Sequence, residues 1–357
     1  MGSKHHLRAL RVVPDIEVLW FCDKDENRAY KMAQQSGSDS LVNADFNKLL
    51  NNHTPDVVHI ITPPATHATL AIQAMEKGCH IMLDKPMATT VEDAQQILEI
   101  RNRTGTRLCM MHNHMFDPTI IKAHEIVRRG FLGEVICVEG RHFYEYRKME
   151  VEGLHSPEHW VHTLKSGTAG EFMPHTVYLL QSFAGSCNRL QLIHGTNSSH
   201  SQTTYSIHSW MVQLKCEAAV ARVFVTDNMP YGHFGIDIYG SEAALHINMM
   251  DLTYSIERIR DFLPLTAARM ASTLEQSMQK VWQTIGNSVR IAAGRLKRRP
   301  GHLGLMRAFY SALRRDDPMP VNGEDGLEVV RTMEMLDFAV ADYTYLKADK
   351  SAKSAAV

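Results

Sequence analysis

Asp84-Lys85-Pro86 closes the apolar run Cys79-His80-Ile81-Met82-Leu83, which reads as a short buried strand. The proline locks the exit, so a carboxylate and an ammonium are held at the rim of a core with little freedom. In an open α/β sheet the ligand crevice lies outside the carboxyl ends of the strands, and Lys85 would point into it. A compact cation there suits an oxygen that gains negative charge during a reaction. A strand-to-loop transition with a solvated lysine would use the same residues. The second grouping runs from Ser166 to Tyr178. If the stretch after Gly170 is helical, Glu171, His175 and Tyr178 stand at i, i+4 and i+7 on one face, beside a buried stripe of Phe172, Leu179 and Phe183. A carboxylate one turn before a histidine can orient the imidazole and raise its pKa, as proton exchange with an alcohol or carbonyl needs. A partly buried structural histidine fits the same pattern.

Two further stretches could hold a dinucleotide. Asp23 ends the strand Ile16–Cys22, and its carboxylate could accept both hydroxyls of an adenosine ribose. That contact would favour NAD over NADP, whose 2′-phosphate is repelled; an aspartate capping a helix is the other reading. Thr62-Pro63-Pro64-Ala65-Thr66-His67 follows a buried strand and opens a helix, which makes a rigid wall and anion site or a plain turn. His112-Asn113-His114 and His155, His159 and His162 invite a metal reading. With 20 histidines chance groupings are expected, and no cysteine or carboxylate completes a set, so no metal is expected.

The elements that must position these residues alternate. Strand and helix patterns follow one another from a helix that begins at Met1 to a strand at Arg107–Met111, which means βαβ units and a mostly parallel sheet. After Pro118 the pattern changes to helix and long antiparallel strands, so the boundary is placed there: residues 1–118 form an α/β dinucleotide-binding domain and 119–345 an α+β domain. The 357 residues allow one large or two ordinary domains, and 44% hydrophobic with 22% charged content describes a soluble globular chain. A net charge of −1 argues against a nucleic-acid binder. No secretory signal and no apolar run long enough to span a bilayer are seen. Six scattered cysteines, without a C-x-x-C pair, read as buried reduced thiols in a cytosolic protein.

Together these stretches resemble the glucose-fructose oxidoreductase, inositol dehydrogenase and rhizopine-catabolism family (Gfo/Idh/MocA), from Met1 to about Asp337. The resemblance rests on Ser3 to Leu10, Cys22-Asp23, Thr62 to His67, Asp84-Lys85-Pro86, Asn113 with Phe116, Gly133-Glu134-Val135, Glu171 to His175 and Val321 to Glu334. It implies an N-terminal Rossmann domain on NAD or NADP and a C-terminal domain with an open, mostly antiparallel sheet, often used for oligomer contacts. It implies a cytoplasmic homo-oligomer acting on a sugar, nucleotide sugar or cyclitol. Lys85 maps to the family's Glu-Lys-Pro lysine and His175 to the histidine of its Asp-x-x-x-His motif, as the catalytic pair. Gly2, His5, Asp23, Thr62, Pro63, His67, Asp84, Lys85, Pro86 and Asn113 would line the cofactor; Lys85, Asn113, Glu171 and His175 would meet substrate.

The departures also carry expectations. Met1-Gly2 would be the last two positions of the family's Gly-x-Gly-x-x-Gly loop, so the first strand and two glycines are missing. The natural protein is expected to begin about a dozen residues earlier, and the chain as written to bind dinucleotide poorly. Asp84 stands for the usual Glu and Glu171 for the usual Asp; Met115 and Tyr178 replace common Arg and Asp. Residues 257–300 look like a basic helical insertion, either packed on its own domain or a sister subunit, or meeting anionic lipid. Two rivals to a dehydrogenase remain open: a non-catalytic sugar- or cofactor-sensing member of the same fold, and a truncated chain with impaired cofactor binding.

Overall fold

The chain opens in a helix, α1 (Gly2–Leu10), and reaches its first strand at β1 (Trp20–Cys22). The computed structural model describes residues 2–145, 159–164, 167–195, 209–258, 260, 262–296 and 300–354. Helix α2 (Glu26–Ser36) starts where the Asp25 carboxylate accepts from the Asn27 amide at 3.1 Å, and stops at Gly37 in the left-handed conformation. Then follow β2 (Leu41–Asn43), α3 (Phe46–Asn52), β3 (Val57–Ile60), α4 (His67–Glu76), β4 (His80–Leu83), α5 (Val91–Thr104) and β5 (Leu108–Met110). Strands β3, β4 and β5 pair in parallel in that order, while β1 and β2 form a parallel pair of their own. The single parallel sheet expected from sequence is thus two, with β1 and β3 each paired on one side only. Ahead of β1, Gly2–Leu10 are helical and residues 11–19 are turn and irregular chain, so these described residues add no strand to either ladder.

The middle of the chain builds a different sheet. After α6 (Pro118–Arg128) come β6 (Val135–Glu145), α7 (Gly167–Ala184), β7 (Cys187–Gly195), β8 (Ser209–Cys216), β9 (Val220–Thr226), β10 (Asn228–Gly240), β11 (Ala244–Asn248) and β12 (Thr253–Glu257). The seven strands lie in the order β12-β11-β10-β6-β9-β8-β7, antiparallel except for the parallel β6–β9 pair. One face of it alternates inward with Trp210, Val212 and Leu214 on β8, and helix α7 packs on β6 and β9. Register sets Cys187 opposite Cys216, and the two form a disulfide. The expectation of six reduced thiols fails here because a pairing 29 residues apart appears only once the β7–β8 ladder is laid out. Cys22, Cys79, Cys109 and Cys137 are free.

Helix α8 (Leu265–Ala292) packs on β12, and then α9 (Pro300–Arg315) and α10 (Gly323–Ser354) complete the chain. Residues Met1–Phe116 and Gly301–Val330 make one unit; Asp117–Pro300 and Arg331–Val357 make the other. The sequence reading, with one boundary near 118, misses this return. It is structural: Leu305, Met306 and Phe309 are buried in the same core as Ile81, Leu83 and Met110. The Met110 amide donates to the Val321 carbonyl at 3.1 Å, and Arg101 on α5 grips the Glu324 carboxylate with two bonds of 2.6 and 2.9 Å. Among the described residues no helix is long and apolar enough to cross a membrane.

Two histidines make the first unit acid-sensitive. His59 on β3 is half-buried and bonded through Nε2 to the Tyr310 hydroxyl at 2.8 Å, His112 after β5 is buried, and loss of hydration pushes both imidazoles down to about 3. The unfolded chain takes up these protons near the ordinary 6.5 and the folded chain does not. Stability is therefore complete above about pH 6.5 and is lost as pH falls toward about 3, by ~1.4 kcal/mol per pH unit for each histidine. Urea midpoints measured across this range should show that slope. It should be shallower in His59→Gln, whose amide still reaches Tyr310; an unchanged slope would take His59 out of the acid response.

Candidate active site

The first unit places its candidate residues just beyond the carboxyl ends of parallel strands, where an open α/β sheet keeps its ligand crevice. Asp23 follows β1, Thr62 follows β3, Asp84-Lys85-Pro86 follows β4 and Asn113 follows β5. Lys85 is nearly buried, its amide donates to the Asp84 carboxylate at 2.8 Å, and its peptide bond to Pro86 is cis. His67, the first residue of α4, is fully buried and joins two of these strand ends. Its Nδ1 lies 2.9 Å from the Pro86 carbonyl and its Nε2 2.8 Å from the Thr62 carbonyl. Burial lowers the His67 pKa, against the pull of the Asp84 carboxylate and the carbonyls of Thr62, Pro86 and Met87. Sequence reading sets His67 among the cofactor contacts; in the structure its ring also stands between two backbone carbonyls and links the turns that carry them.

Asp23 is half-buried and accepts from the Asp25 amide at 2.9 Å. The helix cap offered as its alternative role belongs to Asp25, two residues on. Thr62-Pro63 leads into a three-ten turn, Pro64–Thr66, pinned by the Thr66 hydroxyl at 2.7 Å from that of Thr62. Asn113 is buried at the start of the three-ten turn Asn113–Phe116. Gly2 and His5 fall in the first turns of α1, and the His5 side chain lies outside the described residues. So does His155, and among the described residues no three His, Cys, Asp or Glu side chains converge as a metal site would require.

In the second unit α7 is the helix that the spacing of Glu171, His175 and Tyr178 asks for. The imidazole Nδ1 of His175 lies 3.0 Å from the hydroxyl of Tyr178, a buried residue one turn on. Tyr178 stands at i+3 from His175 on the same face as Glu171, to which sequence reading gave the orienting task one turn earlier. The height of α7 above the sheet is set by Gly140 on β6: a Cβ there would overlap the Thr176 methyl, next to His175. Ile236 and Leu180 close the same spot.

These features can be set beside known proteins. Residues 1–112 match the family described as "Oxidoreductase family, NAD-binding Rossmann fold", and residues 120–246 match the "GFO/IDH/MocA C-terminal domain". Together the two matches take in most of the chain, which belongs to the Gfo/Idh/MocA oxidoreductase family. Among curated relatives, inositol 2-dehydrogenase of Salmonella typhimurium (strain LT2) is 26% identical over 144 residues, 40% of this chain and 43% of that protein. Alpha-N-acetylgalactosaminidase of Shewanella oneidensis is 34% identical over 125 residues, 34% of this chain and 27% of that protein. The chain thus matches less than half the length of either. Among solved structures, levoglucosan dehydrogenase in complex with NADH and levoglucosan superposes with a TM-score of 0.76 at 18% identity, covering 96% of this chain and 95% of that one. The WlbA dehydrogenase of Bordetella pertussis, with NADH and UDP-GlcNAcA, does so at 0.72 and 17%, covering 95% and 92%. The fold is shared across both.

The contact under α7 has a measurable consequence. Gly140→Val should overpack the α7–β6 interface and cost about 1–3 kcal/mol in urea unfolding. Gly140→Ala combined with Thr176→Ser, which removes the methyl in conflict, should recover most of that loss. A Gly140→Val chain as stable as the parent would show that α7 can rise without penalty.

Proposed function

We propose that the chain is an NAD-dependent oxidoreductase that moves a hydride between nicotinamide and a hydroxyl-bearing carbon of a sugar, nucleotide sugar or cyclitol. The observation that carries this reading is His175 on α7 with its Nδ1 engaged by Tyr178. Support comes from family membership, from the inositol 2-dehydrogenase relative, and from a fold shared with dehydrogenases whose structures hold NADH and sugar ligands.

The residues present fit a dinucleotide at two places. The half-buried Asp23 carboxylate at the end of β1 offers acceptors for ribose hydroxyls, and the rigid turn from Thr62 opens onto α4. Bound NAD would supply the hydride acceptor. In the oxidation direction Nδ1–H of His175 donates to the Tyr178 oxygen, which fixes the tautomer and makes Nε2 the base that takes the hydroxyl proton. In reduction the proton is returned from the same nitrogen. Lys85, held at the strand end with little freedom, stabilises the charge that develops on the reacting oxygen. Asn113 positions substrate or the nicotinamide amide, and Glu171 meets a further hydroxyl. A homo-oligomer in the cytoplasm is part of the same reading.

A second reading, cleavage of a glycoside, is favoured by the 34% identity to the Shewanella enzyme. Screening cyclitols, free sugars and nucleotide sugars for NADH formation, and aryl glycosides for release of the aglycone, separates the two. Binding of NAD without turnover of any of them would favour the sensing role instead.

On the substrate so found, Lys85→Met and His175→Asn should each lower kcat by roughly 10²–10⁴-fold. The double variant should lose less than the product of the two, since both act in one transition state. Near-normal turnover in either single variant would remove that residue from the mechanism. Tyr178→Phe should lower kcat less and move the pH profile of kcat/KM, because the imidazole loses the hydroxyl that fixes its tautomer. Asp23→Ser should narrow the preference for NAD over NADP, read as a ratio of kcat/KM values; an unchanged ratio would move ribose recognition elsewhere.

A further inference from the structure

Helix α8 is turned inside out relative to an ordinary surface helix. Its polar face is spent on the protein. Gln279 accepts from the Ile256 amide at 2.8 Å, and Gln283 both accepts from and donates to the Tyr254 backbone at 2.8 Å. Asn287 donates to the carbonyls of Asp251 and Leu252 at 3.1 and 2.8 Å. These amides stand at i, i+4 and i+8, and they satisfy the open edge of β12, the last strand of the seven-stranded sheet. With Ala268 and Ser272 buried on the same side, the helix cannot roll.

The opposite face is apolar and uncovered. Met270, Leu274, Met278, Val281, Trp282, Ile285 and Val289 are each more than half exposed. They recur at eleven residues, Met270 with Val281, Leu274 with Ile285 and Met278 with Val289, which keeps the stripe along one side of a nearly straight helix. Leu274, Met278, Val281 and Ile285 also keep a four-three-four spacing, but that seam is short, since Ser277 stands seven residues after Met270 and Ser288 seven after Val281. At 28 residues the helix is about 42 Å long, a flat ridge rather than a knob. Its one acid, Glu275, lies to the side and pairs with Arg260 at 2.8 Å. In a chain of net charge −1, residues 257–300 hold nine Arg and Lys against three Asp and Glu, and five of the nine fall between Arg290 and Arg299.

We propose that α8 seats the protein on a lipid bilayer that carries anionic phospholipid. The helix lies in the interface with its apolar stripe among the acyl chains, and the exposed Arg269, Lys280, Arg290 and Arg295 supply positive charge that draws it to anionic headgroups. The folded sheet takes the place that water holds on the polar face of a free amphipathic helix. Because the three amides pin the helix, the surface is presented ready-made and needs no folding on contact.

The test uses the full chain and two vesicle preparations, phosphatidylcholine alone and phosphatidylcholine with phosphatidylglycerol, in flotation at low salt. Binding to the anionic vesicles should exceed binding to the neutral ones by at least an order of magnitude, and fall as salt rises. Leu274→Ser/Val281→Ser/Ile285→Ser should abolish flotation, and these exposed positions leave the fold, checked by circular dichroism, unchanged. Arg290→Glu/Arg295→Glu should cut it by roughly fivefold or more for each charge. Equal binding to both vesicles, or none, overturns the proposal. So does a concentration-dependent dimer, seen by sedimentation, that the triple serine variant dissolves, because that assigns the stripe to a second copy.

Discussion

A single imidazole ties together the turns from which the first unit would work. A fully buried polar ring is costly without partners, and His67 stands between the carbonyls of Thr62 and Pro86, donating to one of them when neutral and to both when protonated. Those carbonyls belong to the chain leaving β3 and the chain leaving β4. Once both converge on one ring, the two exits cannot move independently, and Lys85, one residue before Pro86, inherits their rigidity. A flexible four-carbon stem thereby starts from a fixed base, which is what a cation aimed at a developing charge requires. The supporting sheet is short, with three or four residues in each strand, so the precision comes from side-chain bonds at the rim as much as from the ladders.

The second unit solves the same positioning problem with sterics. Gly140 removes a side chain from the middle of β6 so that α7 can settle on the sheet, and the buried Tyr178 then turns the His175 ring. Neither contact is chemistry in itself. Each converts a common residue into one with a defined direction, and the wide sheet, with β6 near its centre, gives the helix a broad floor.

Much of this was legible in the sequence wherever the signal is local. The Asp84-Lys85-Pro86 strand exit, the alternation of strands and helices, the i, i+4 spacing on α7 and the basic helical segment that contains α8 all depend on neighbours within a few turns. What the sequence hid depends on partners far along the chain. His67 reads as a cofactor contact because nothing local says that the Pro86 carbonyl, 19 residues on, will take its Nδ1. The Cys187–Cys216 bridge waits on a ladder register, and the amides of α8 look like solvent-facing residues until β12 is placed beside them. The residues from Gly301 to Val330 carry no strand, and nothing local in them announces that they finish a core begun hundreds of residues earlier.

That last arrangement bears on how the molecule comes into being. Leu305, Met306, Phe309 and Val321 are part of the packing around β4 and β5, and the Met110 amide finds its acceptor at Val321. A chain emerging from the ribosome therefore has its opening strands in hand long before it has the helix that covers them. Until residue 330 is free, Ile81, Leu83 and Met110 lack part of their cover, while the sheet from β6 to β12 is already complete in the order of synthesis. The middle of the chain can mature first and the beginning last, so the early strands keep part of their apolar surface uncovered for most of translation.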